Sequence, residues 1–158
     1  MLQILLSALA LGAAYALLAL GFVLILNATS AVNFAQGDMV MAGGYVAVAL
    51  AAVVPVSGIV LLPFVIVVMI GLGLLFSLLA YFPLKSRPPV SVFISTIALG
   101  IILQNTANAI AGAAPRSAPP LFTGSQIDIA GASIPAQSIA VILVAALLIA
   151  AQWWLFAR

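Results

Sequence analysis

Six charged side chains are spread along 158 residues, and the gaps between them restrict what the chain can fold into. Asp38, Lys85, Arg87, Arg116, Asp128 and Arg158 leave the runs 1–37, 39–84, 88–115 and 129–157 uncharged. A helix needs roughly 20 apolar residues to cross ~30 Å of hydrocarbon. Each run therefore holds at least one crossing, and 39–84 holds two with a turn between them. Soluble domains are about 25% charged, whereas here 4% of residues are charged and 67% are hydrophobic. So few charges cannot coat a fold in water, and in lipid it is the charges that cost free energy. The expected fold class is an all-α integral membrane protein.

The pattern predicts a polytopic bundle of about five transmembrane helices in a single domain over 1–158. The spans fall at about 4–26, 39–54, 59–82, 90–112 and 139–157. The first apolar run continues to Leu26 with no basic residue ahead of it, so it reads as a span and not as a signal peptide. Ala8, Gly12 and Ala16 lie four apart on one helix face, a spacing that permits close backbone approach. A polar interruption, 27–38, separates spans 1 and 2. Span 2 is short for a crossing, so its helix either begins nearer Asn33 or is a half-helix entered from an unwound stretch. Pro88 and Pro89 separate spans 3 and 4. The loop 113–138 is rich in Pro and Gly, and Ile127, Asp128 and Ile129, followed by a Gly turn and Ile134, allow a small hairpin.

Lys85, Arg87 and Arg158 share one side of a five-span chain, and Arg116 lies on the other. The positive-inside rule puts the 83–89 loop and the C-terminus in the cytoplasm, and the N-terminus and the 113–138 loop outside.

The chain has no Cys and no His, which removes thiol chemistry, haem ligation by His and nearly all zinc sites. A net charge of +2 offers no nucleic-acid surface. No nucleotide loop, catalytic triad or paired acid is present. The sequence therefore predicts neither an enzyme nor a cofactor. What remains is polar side chains at membrane depth. Asn33, Gln36 and Asp38 precede span 2. There Asp38 reads either as a helix N-cap or as part of an irregular backbone lining a cavity. On span 4, Ser91, Ser95 and Asn105 point in one direction, and Gln104 and Asn108 widen that arc. Such a face is expected to turn inward, either to bond another helix or to line a path. The substrate-path candidates are thus Asn33, Gln36, Asp38, Ser95, Gln104, Asn105 and Asn108.

Gly12 to Gly21 (GAAYALLALG) and Asn33 to Tyr45 (NFAQGDMVMAGGY) resemble the N-terminal signature of the branched-chain amino acid ABC transporter permeases of LivH type. In that family an NFA-x-G-(D/E) motif precedes a Met- and Gly-rich helix. Ser95 to Gly100 (STIALG) and Leu103 to Asn105 (LQN) resemble the family's span after the basic loop. The resemblance implies a multi-pass permease subunit of the bacterial cell inner membrane. Its implied partners are a LivM-type permease subunit, cytoplasmic ATP-binding subunits and a periplasmic substrate-binding protein. The implied cargo is Leu, Ile or Val, or in relatives urea or short amides. Family members are longer, so the resemblance also implies the N-terminal part of a permease. The rival expectations are half of a secondary transporter or a small channel, for which Asp38 is the one intramembrane charge, and a non-functional permease fragment.

Overall fold

The structure is a computed structural model that describes residues 2–54, 56–112, 114–118, 120–121, 126–129 and 132–156. Arg158, one of the residues that orient the chain, lies outside them, as do Pro119, Gly124 and Gly131 of the long loop. The described elements are α1 (Leu2–Thr29), α2 (Gln36–Val53), α3 (Gly58–Phe76) continued by a π-helical turn (Ser77–Tyr81), α4 (Pro89–Ala111), β1 (Gln126–Ile129), β2 (Ala132–Pro135) and α5 (Ala136–Phe156). Among the described residues, five helices are long and apolar enough to cross a membrane. The chain is an all-α polytopic membrane protein with one small β-hairpin. It divides into two compact units, residues 22–120 and residues 1–21 with 121–158.

Large apolar side chains face outward along the helices: Leu5 is 67% exposed, Val67 68% and Ile110 83%. In water such a surface would drive aggregation; in lipid it is the solvent-facing surface. The buried residues are mostly small, including Ala31, Ala35, Ala42, Ala80 and Ala145. Small residues bring membrane helices together because lipid already solvates the large ones.

In the unit 22–120, α1 runs on through Asn27 and ends at Thr29, beyond the expected residue 26. The Thr29 hydroxyl lies 2.7 Å from the Ile25 carbonyl and accepts the Ala31 N–H at 3.3 Å. Its polarity is thus met on the helix itself, and the helix need not stop. Ser30 then adopts φ 52, the left-handed conformation that ends many helices. Residues 31–35 reverse the chain, and α2 starts at Gln36, upstream of the expected residue 39.

α3 tolerates Pro63, which removes one rung of the backbone ladder. It closes in a turn where the Phe82 N–H donates to the Ser77 carbonyl at 3.0 Å. Such π-turns are rare and frequent at functional sites. Pro89 occupies the first turn of α4, where its missing N–H costs nothing. Gly112 ends α4 at φ 75, donating its N–H to the Asn108 carbonyl at 2.8 Å. α2 packs against both α3 and α4, and the π-turn packs against α4.

In the other unit, β1 and β2 pair antiparallel, with Ile127 opposite Ile134. This is the hairpin that the Ile-Asp-Ile pattern allows. β2 leads directly into α5, where Ala145 is buried.

Candidate functional site

The reversal 31–38 is docked against one line of α4. Val92, Thr96 and Gly100 are the buried residues of that helix, four apart, and Gln104 continues the line. The Phe34 N–H donates to Thr96 Oγ1 at 3.2 Å, and Thr96 Oγ1 donates to the Phe93 carbonyl at 2.8 Å. Thr96 is 3% exposed, so one buried hydroxyl satisfies a backbone donor that has no helix to join. The rings of Phe34 and Phe93 meet edge to face with centroids 4.5 Å apart.

Asn33 organises the reversal from within, since its Oδ1 accepts the Ala35 N–H at 3.0 Å. Ala35 is the residue that caps α2, and no side chain bonds there as a helix cap. The N-cap reading of Asp38 is therefore corrected. Asp38 sits inside the first turn, and its Oδ1 accepts a hydrogen bond from Gln104 Nε2 at 2.6 Å. Gly100 makes this pairing possible: a Cβ there would collide with Asp38 Oδ2 and lie 3.3 Å from Ala35 Cβ.

The register of these contacts fixes where α2 begins. Gly100 is eleven positions along α4 from Pro89, or about 16 Å at 1.5 Å per residue. The first turn of α2 thus lies well up the body of α4, not beside its start. Below that turn is a cavity of about 370 Å³, within the ~300–1,000 Å³ range of small-molecule sites. Its walls come from the end of α1, the reversal, the first turns of α2, the π-turn and the start of α4. Thr29, Asn33, Gln36, Ser77, Tyr81 and Thr96 supply its polar groups, among apolar neighbours such as Ile25, Phe76 and Val92.

The seven sequence candidates therefore separate. Asn33 and Gln36 line the cavity. Asp38 and Gln104 bond each other beside it. Ser95 is one position off the buried line and half-buried. Asn105 is exposed and bonds its own helix, Nδ2 donating to the Ile101 carbonyl at 2.7 Å. Asn108 is exposed as well. The inward face of α4 is the line of Thr96 and Gly100, on nearly the opposite side of the helix from the Ser91–Ser95–Asn105 arc. Sequence reasoning missed Thr96, Gly100 and the π-turn residues Ser77 and Tyr81. The four-residue spacing of Val92, Thr96, Gly100 and Gln104 was the signal that could have found the first two. Among the described residues, no group of His, Cys, Asp or Glu could hold a metal.

Five membrane-length helices, with a cavity at the break between α1 and α2, define a polytopic membrane protein. The chain belongs to the family described as the branched-chain amino acid transport system permease component, whose model matches residues 4–158. It is similar to the high-affinity branched-chain amino acid transport system permease protein LivH of Escherichia coli strain K12, 31% identical over 125 residues. That match covers 74% of this chain and 41% of the relative. The LivH protein of Salmonella typhimurium strain LT2 is 30% identical over the same shares. The BraD permease protein of Pseudomonas aeruginosa PAO1 is 28% identical over 132 residues, 78% of this chain and 43% of the relative. The chain thus spans less than half the length of these relatives. No solved structure matches it.

Proposed function

We infer that this chain contributes part of the solute path of an ATP-driven importer for branched-chain amino acids or a similar small solute, such as urea or an amide. The observation that carries the reading is the cavity at the reversal between α1 and α2, furnished with Asn33, Gln36, Ser77 and Thr96. Irregular backbone at membrane depth is tolerated where it is covered by protein or lines a water-filled cavity, and residues 31–35 meet that condition. Apolar walls suit an aliphatic side chain, while the amides and hydroxyls can replace water on a polar end. A LivM-type subunit, cytoplasmic ATP-binding subunits and a periplasmic substrate-binding protein complete the assembly in the bacterial inner membrane. With Lys85 and Arg87 cytoplasmic, the cavity belongs to the inward-facing half of the path. The chain's own role is conduction, and ATP hydrolysis resides in the partner.

The test is uptake of labelled leucine by vesicles carrying the assembled transporter. Gln36→Leu and Asn33→Leu should lower uptake about tenfold, since each leaves a polar solute group unmatched at a cost of about 1–3 kcal/mol. Asn105→Leu should leave it nearly unchanged. Full uptake with both cavity residues replaced would remove the cavity from the path. Uptake driven by an ion gradient without ATP would point to a secondary transporter instead.

A further inference from the structure

Beyond the contacts at Asp38, Gly100 and Gln104, both helices run on, α2 to Val53 and α4 to Ala111. There they line a second space of about 330 Å³, which shares no lining residue with the cavity at the reversal. Ala42, Tyr45, Val46 and Ala52 of α2 line one side, and Leu103, Ala107 and Ile110 of α4 line the other. Arg116 stands at its end. We propose that this crevice is a phospholipid site, one acyl chain lying between α2 and α4 and an anionic headgroup resting on Arg116.

Length supports a lipid occupant. From Leu103 to Ala111 is about 12 Å along α4, and from Ala42 to Ala52 about 15 Å along α2. One leaflet of a ~30 Å hydrocarbon core is about 15 Å deep. The crevice therefore spans a single leaflet, the one opposite Lys85 and Arg87, and it ends at a cation where headgroups lie. The guanidinium is held in place, with Nε and Nη2 donating to the Ala111 carbonyl at 3.1 and 2.8 Å. Of its five N–H donors, those not used there remain for a phosphate, which guanidinium groups bind well.

A zwitterionic amino acid fits poorly. No carboxylate lines the crevice, and the Thr106 hydroxyl already donates to the Ile102 carbonyl. A buried ammonium there would lack an anionic partner. An acyl chain needs no polar partner, and the lining is mostly apolar.

The test is native mass spectrometry of the full chain purified in detergent and mixed with phosphatidylglycerol, phosphatidylethanolamine or leucine. Wild type should retain one phosphatidylglycerol molecule. Arg116→Gln should lower that retention about tenfold, while Arg116→Lys should keep most of it. Ala107→Leu fills the crevice away from the headgroup and should lower retention of both lipids. Unchanged phosphatidylglycerol retention in both Arg116→Gln and Ala107→Leu would overturn the site. So would leucine retention lost in those variants with lipid binding unaffected, because the crevice would then take solute.

Discussion

The α2–α4 pair behaves differently at its two ends. Near the reversal the helices are cross-braced by polar contacts between residues far apart in sequence, Phe34 with Thr96 and Asp38 with Gln104. Toward Arg116 the same helices line a mostly apolar crevice, with Val46, Leu103 and Ile110 among its walls. Lipid competes well for apolar surface and badly for hydrogen bonds. Helices are therefore held more firmly where small residues allow polar groups to meet than where only apolar side chains face each other. Gly100 decides which behaviour prevails, because its missing side chain is the space that Asp38 occupies.

The largest expected effect comes from removing that space. Gly100→Val should destabilise the braced end by about 3 kcal/mol or more, combining overpacking with loss of the Asp38–Gln104 bond. Thermal unfolding in detergent should show a clear drop in midpoint; a wild-type midpoint would mean that the helices are not in this register. Thr96→Val keeps the shape and deletes the hydroxyl, leaving the Phe34 N–H unpaired. A loss of about 1–3 kcal/mol is expected in the same assay, against little change for Thr96→Ser.

Asp38→Leu should cost less, about 1–2 kcal/mol, and Asp38→Asn should recover most of it by keeping an acceptor for Gln104. The recovery separates a hydrogen bond from a requirement for charge; failure of Asp38→Asn to recover would show that the charge itself matters. The smallest effect is expected at Asn105→Ala, within about 0.5 kcal/mol, because that amide bonds its own helix. A large loss there would mean that the sequence's polar arc, and not the Thr96–Gly100 line, carries the packing.

The five spans were legible because hydropathy over bilayer length is an additive signal that a few wrong residues cannot erase. The hairpin was legible too, from the alternation around Asp128. Local polarity misled in two places. Asn27 and Thr29 looked like the end of a helix, yet the Thr29 hydroxyl is satisfied on the Ile25 carbonyl and α1 continues. On α4, the most polar side chains seemed to mark the inward face, but a long amide such as Asn105 can reach its own backbone. The buried line instead uses a short hydroxyl and a glycine, which carry little polarity of their own. The π-turn at Ser77–Tyr81 left no mark in composition. The cavity was only half readable. Asn33 and Gln36 stood out beside Asp38, but the residues facing them come from three other elements that only the tertiary fold brings together.

Whether the cavity at the reversal is wet and belongs to the solute path can be tested by thiol labelling, because the chain has no cysteine of its own. Single cysteines at Gln36 and Ser77, with Val67→Cys as a control on the lipid-facing surface of α3, would be exposed to a hydrophilic maleimide in the assembled transporter. A wet cavity on the solute path predicts rapid labelling at Gln36 and Ser77, slowed by leucine, and negligible labelling at Val67. Labelling at Gln36 and Ser77 as slow as at Val67, with or without leucine, would contradict it.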